Sequence, residues 1–81
     1  MARNLLDLHG FKVEDVADAL DKFLRQASDQ GLERVRVMTG KGTGKVKAEA
    51  IQYLKQARYP WQYEKLGNGK DNEGILVVFV D

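Results

Sequence analysis

Asp7 and His9 are the residues of this chain best suited to acid–base chemistry. They stand two apart in Leu5-Leu6-Asp7-Leu8-His9, a short apolar stretch that ends at Gly10 and reads as a strand. In a strand, that spacing turns both toward one side and Leu6 and Leu8 toward the other. Imidazoles titrate near neutrality, so a histidine can give or take a proton at working pH. A carboxylate two residues away could orient the ring or help hold a divalent cation such as Mg2+. Taken alone, an Asp-x-His triplet is more often an ordinary polar strand end.

The second candidate is the loop Thr39-Gly40-Lys41-Gly42-Thr43-Gly44. Glycines at alternate positions let the backbone turn sharply and expose its amides. The loop leads from a strand into the start of a helix, where amides and the helix dipole favour an anion. Lys41, Lys45 and Lys47 add positive charge at the same place, and a phosphate would suit all of them. The loop is not a P-loop: Val46 stands where Ser or Thr is required to meet a metal ion, and the glycine spacing is too short. Nor is it a dinucleotide fingerprint, because it follows the second strand and the spacing is Gly-x-Gly-x-Gly. The phosphate of a polymer is the better candidate, against the plain alternative of a structural tight turn.

The elements that must position these residues follow from periodicity. Val13, Val16, Ala17, Leu20, Leu24 and Ala27 recur at helical spacing, with Glu14 and Asp15 in the first turn and Gly31 as a stop. Val35-Arg36-Val37-Met38 is a second strand. Val46, Ala50, Tyr53, Leu54 and Ala57 stripe a second helix that Pro60 closes. Trp61–Leu66 alternates like a half-exposed strand, the stretch 67–74 reads as a turn, and Ile75–Val80 is apolar enough for a central strand. The order βαβαββ, with right-handed crossovers, predicts an α/β two-layer sandwich. It has a four-stranded mixed sheet in the order 1-2-4-3 with both helices on one face and the other face open. Strands 1 and 2 are then parallel neighbours, which brings Asp7 and His9 to the same rim as the glycine loop. Arg34, Arg36 and Met38 share one side of strand 2, and alternation leaves open which. If it is the open side, Arg36 extends the basic surface. Trp61 and Tyr63 read as core.

Charge supports an anion-binding surface. The net charge is only +1, yet residues 34–70 hold nine basic side chains against Glu49 and Glu64, while residues 1–33 are acidic overall. The 81 residues are expected to form one domain, residues 1–81. There is no cysteine, no apolar run of membrane-spanning length and no signal-type start, so a reducing, cytoplasmic setting without a membrane partner is expected.

Leu6-Asp7-Leu8-His9-Gly10 and Thr39-Gly40-Lys41-Gly42-Thr43-Gly44, in this order and at this separation, resemble the two signature motifs of the Smr (small MutS-related) family. The resemblance covers roughly residues 4–81. It implies a fold like the C-terminal domain of bacterial translation initiation factor three, binding to DNA or RNA and, in several members, endonuclease activity. By position, Asp7 and His9 would be the catalytic pair and Gly40, Lys41, Gly42 and Gly44 the nucleic-acid-contacting loop. Members attached to MutS-like ATPases often carry Arg where this chain has His9. Retaining His9 resembles the branch to which cleavage is more readily attributed. Three positions depart from the family pattern: Thr39 replaces a frequent His, Asp71-Asn72-Glu73-Gly74 replaces Gly-Gly-x-Gly, and Lys12 replaces a Ser or Thr helix cap.

The leading expectation is an endonuclease in which Asp7 and His9 assist cleavage. Arg36, Gly40, Lys41, Gly42, Thr43, Gly44, Lys45 and Lys47 would hold nucleic acid. No cofactor motif is evident beyond a divalent ion at Asp7. The alternative is a non-catalytic nucleic-acid adaptor, as a monomer or a piece of a larger protein. A weaker third reading is a protein-interaction domain that docks on the open sheet face.

Overall fold

The computed structural model describes residues 4–40 and 44–80. Its elements are β1 (Leu5–Asp7), α1 (Val13–Asp29), β2 (Arg34–Met38), α2 (Lys45–Gln56), β3 (Trp61–Lys65) and β4 (Asp71–Phe79). The sheet order is β1-β2-β4-β3, with β1 parallel to β2 and β4 antiparallel to both of its neighbours. The predicted fold class and strand order are those observed.

Alternation sorts the two sheet faces. Leu6, Leu8, Val35, Val37, Leu76 and Val78 are buried with Val16, Leu20, Phe23, Leu24 and Ala27 of α1 and Ala50 and Leu54 of α2, forming one core between sheet and helices. Burying a side chain of this size stabilises the fold by about 1.5–3 kcal/mol, so this layer holds the domain together. Trp61 and Tyr63 pack against the same core, edge to face with ring centroids 5.3 Å apart, as their reading as core residues anticipated. Between the helices, the Tyr53 hydroxyl donates to Asp21 Oδ1 at 3.0 Å, and Asp21 also pairs with Arg25 at 3.2 Å. Burial and the Asp21 carboxylate push the Tyr53 phenol up to about 12.

Both helices end in the same way. In α1 the Leu32 amide bonds the Ala27 carbonyl and the Gly31 amide bonds Ser28; in α2 Tyr59 bonds Leu54 and Arg58 bonds Lys55. This is the Schellman arrangement, which needs a left-handed residue just past the helix. Gly31 fills that place in α1 at φ 75°, and Arg58 fills it in α2 at φ 63°.

Two boundaries differ from the sequence reading by more than one residue. β1 stops at Asp7, so Leu8 and His9 lie just beyond it, although the Leu8 amide still bonds the Met38 carbonyl at 2.8 Å. β4 begins at Asp71, not at Ile75, because Asp71 and Asn72 pair with Lys65 and Glu64 at the end of β3, beyond an irregularity at Tyr63/Glu64. Among the described residues, no helix is long and apolar enough to cross a membrane.

Candidate nucleic-acid interface

Asp7 and His9 are both exposed, Asp7 on the side of β1 that faces away from the helices and His9 in the turn that follows, while Leu6 and Leu8 are buried. Just past β1 the chain turns back: the Phe11 amide donates to the Leu8 carbonyl at 3.0 Å, with Gly10 at φ 83°. A turn of this kind demands a positive φ at its third residue, which explains a glycine there. Within the turn, the His9 backbone amide donates to Asp7 Oδ1 at 2.8 Å. The carboxylate therefore holds the backbone that carries the imidazole. Among the described residues, no hydrogen bond joins the carboxylate to the ring itself.

The glycine loop leaves β2 at the same rim. The Thr39 amide bonds the Gly74 carbonyl at 2.9 Å, which ties the loop's first residue to β4. Gly40 follows at φ 76°, and a Cβ placed there would lie 4.0 Å from His9 Cδ2. The imidazole thus stands against the entrance of the loop. Lys41, Gly42 and Thr43 lie outside the described residues. Gly44, at φ 82°, is the N-cap of α2; its carbonyl accepts the Ala48 amide at 2.9 Å, and no side chain caps the helix.

Electrostatics at this helix start are unusual. α1 has Glu14 and Asp15 in its first turn, whereas α2 has no acidic residue in its own and carries Lys45 and Lys47 there. Cations against the positive end of a helix dipole are unfavourable unless an anion joins them. Lys47 turns toward the β3–β4 hairpin, with Nζ 3.8 Å from Glu73 and 5.4 Å from the centre of the Tyr63 ring.

Val35 and Val37 are buried and Arg34 and Arg36 exposed, which settles the side of β2 that alternation left open: the arginines are on the open face. Arg36 lies opposite Leu5, one step along that face from Asp7 and Met38, and its Nε meets Glu64 Oε2 at 2.7 Å. Partly exposed pairs such as Lys47–Glu73 and Arg36–Glu64 are worth about 1 kcal/mol or less, so an arriving phosphate can replace the carboxylate in either.

The amino-acid sequence matches the family model for the Smr domain over residues 6–81. This chain belongs to the Smr family. A sequence relative, the protein named endonuclease MutS2 of Symbiobacterium thermophilum, is 36% identical over 73 residues, covering 90% of this chain and 9% of that protein. The chain thus spans about a tenth of the length of such relatives. The crystal structure of the Smr domain of Thermus thermophilus MutS2 superposes with a TM-score of 0.78 at 27% identity, covering 94% of this chain and 95% of that one. YdaL, a stand-alone small MutS-related protein from Escherichia coli, shares the fold at 21% identity, with a TM-score of 0.79 and coverage of 94% and 63%.

In this Smr domain the donors at the rim do not amount to a resident metal site. Asp7 is one carboxylate with one oxygen already engaged, and among the described residues no three His, Cys, Asp or Glu side chains stand together. Two carboxylates that sequence reading left without a role, Glu64 and Glu73, turn out to face the cations of the interface. Glu64 had a signal, as one of two acidic residues in the basic middle of the chain. Glu73 had one as well, in the departure of Asp71-Asn72-Glu73-Gly74 from the family pattern, but its approach to Lys47 depends on the extended start of β4.

Proposed function

We propose that this Smr domain binds nucleic acid at the rim formed by the β1 turn and the glycine loop, and that it cleaves a phosphodiester bond there. The observation that carries the reading is the position of His9 against Gly40, which sets a proton-transfer group beside the first glycine of the loop that leads to α2. In this reading the amides of the loop and of the first turn of α2, with Lys41, Lys45 and Lys47, hold the phosphate. They also offset the charge that builds on it as the bond breaks. His9 takes the proton from the attacking oxygen or gives one to the departing oxygen. Asp7 acts as a positioning residue by fixing the His9 backbone. The names of the MutS2 relatives support endonuclease chemistry, and a cysteine-free chain is in keeping with a cytoplasmic setting.

One observation favours a second reading. The Asp7 carboxylate bonds a backbone amide and not the imidazole, so the pair lacks the hydrogen-bonded relay found in many hydrolytic sites. In that reading the domain is an adaptor that brings a larger protein to nucleic acid.

Binding and cleavage measured together on end-labelled structured RNA and duplex DNA test both. The nuclease reading expects affinity that falls steeply with salt and cuts that vanish in His9→Gln while binding persists. Salt-sensitive binding with no cuts by either protein establishes the adaptor. Absence of binding overturns both.

A further inference from the structure

The open face of the sheet carries a second set of features that the rim does not use. Ile75, Val77 and Phe79 alternate along β4 with the core residues Leu76 and Val78; Ile75 is buried, and the partly exposed Val77 and Phe79 form an apolar strip on the open side. Arg34 pairs in register with Phe79 and Arg36 with Val77, which places two guanidinium groups along one flank of the strip. Gln62 lies across Val77 on the other flank. A groove of about 380 Å³ crosses this surface, lined in part by Arg34, Arg36, Gln62, Glu64, Lys65 and Val77. Phe79 is half-buried and is not among the residues packed on the core, so its ring belongs to the open face. Among the described residues Arg34 has no ion-pair partner.

Positive groups flanking a strip that ends in an aromatic ring form the arrangement that binds single-stranded nucleic acid: cations follow the phosphates and bases stack on the ring. The strip is continuous with the rim, since Met38 and Asp7 are the next open-face pair beyond Arg36 and Leu5. From Arg34 to Met38 the strand advances about 13 Å, room for about four stacked nucleotides.

Resting on the reading of the rim as a nucleic-acid site, we propose that the open sheet face is its extension. It takes a single-stranded segment leading away from His9, with phosphates on Arg34 and Arg36 and a base stacked on Phe79. Glu64 is the resident counter-ion that the strand displaces from Arg36.

Fluorescence anisotropy with labelled oligouridylate and oligodeoxythymidylate of about 4 to 16 nucleotides tests this. The proteins compared are the wild type, Arg34→Gln, Arg34→Lys, Phe79→Ala, Phe79→Leu, Glu64→Gln and, for the rim, Lys45→Gln. Arg34→Gln is expected to weaken the longer oligomers several-fold and to lower the slope of log affinity against log salt by about 0.7, with Arg34→Lys keeping the slope. Phe79→Ala is expected to lose about fivefold or more, and Phe79→Leu, which preserves apolar volume but not the ring, a comparable amount. Glu64→Gln should bind more tightly. The losses shrink as the oligomer shortens toward the part held by the rim. If Lys45→Gln weakens binding while the Arg34 and Phe79 variants match the wild type at every length, the open-face extension is wrong and the rim site stands. Binding of duplexes alone by the wild type overturns the extension in the same way. If the wild type binds no nucleic acid, both fall.

Discussion

The backbone amide of His9 donates to the carboxylate of Asp7 at 2.8 Å, so the motif that joins them is a folded turn and not merely two side chains on one strand. The turn fixes where the imidazole starts from, and Gly40 lies where the ring ends up. Asp7 therefore works on His9 through the main chain.

This gives a prediction that separates positioning from proton relay. Asp7→Asn keeps an oxygen that can accept the His9 amide, and Asp7→Ala does not. Urea unfolding should show a loss of about 1 kcal/mol for Asp7→Ala and distinctly less for Asp7→Asn. Any cleavage should follow the same order. Equal, near-complete loss of cleavage in both variants, with stability unchanged, would point instead to a role for the charge itself.

Gly40 sits at φ 76°, where an L side chain is strained even though a Cβ would meet nothing closer than His9 Cδ2. Gly40→Ala should therefore cost about 1 kcal/mol or more through the backbone alone. For a domain of this size that lowers Tm by about 4–8 °C, measurable by calorimetry or circular dichroism. An unchanged Tm would mean that the loop relaxes to another conformation.

Arg58 makes the opposite case. It occupies at φ 63° the left-handed position that Gly31 fills at the end of α1. Arg58→Gly should remove strain that outweighs the added freedom of the unfolded chain, stabilising the protein by about 0.5 kcal/mol and raising Tm by a few degrees. A fall in Tm would show that the Arg58 side chain contributes more than its backbone costs.

Tyr53 sets a limit at high pH. Its phenol is held up to about 12 in the fold, against 10.0 for the unperturbed group, because burial and Asp21 oppose the phenolate. The folded state thus holds its proton more tightly than the unfolded state, and the stabilisation is fully present below pH 10. It is lost as pH rises toward 12. Urea midpoints followed over this window should fall more steeply for the wild type than for Tyr53→Phe. Parallel curves would mean that Tyr53 titrates alike in the folded and unfolded chains.

Much of this architecture was legible in the chain. The 3.6-residue stripes of the helices and the two-residue alternation of β1 and β3 mark which faces are buried, and the apolar run from Ile75 marks a central strand. The start of β4 was not legible, because Asp71, Asn72 and Gly74 are turn-forming types. The pairing of Asn72 with Glu64 and of Asp71 with Lys65 depends on a register irregularity that no local pattern announces. The arginines of β2 were ambiguous because Arg34, Arg36 and Met38 alternate with valines, and only the helix layer over Val35 and Val37 decides which side is open. The meeting of His9 with Gly40 was expected from two parallel strands sharing a rim. The direction of the Asp7 carboxylate, toward a backbone amide, is a matter of turn geometry that side-chain spacing does not encode.

Whether His9 moves a proton during cleavage is tested most directly by single-turnover reactions on end-labelled structured RNA and duplex DNA. Wild type and His9→Ala are compared, each with and without added imidazole. The wild type is predicted to cut, and His9→Ala to bind without cutting and to recover in part when imidazole fills the vacated place beside Gly40. Cutting by His9→Ala at the wild-type rate would contradict a proton-transfer role for His9.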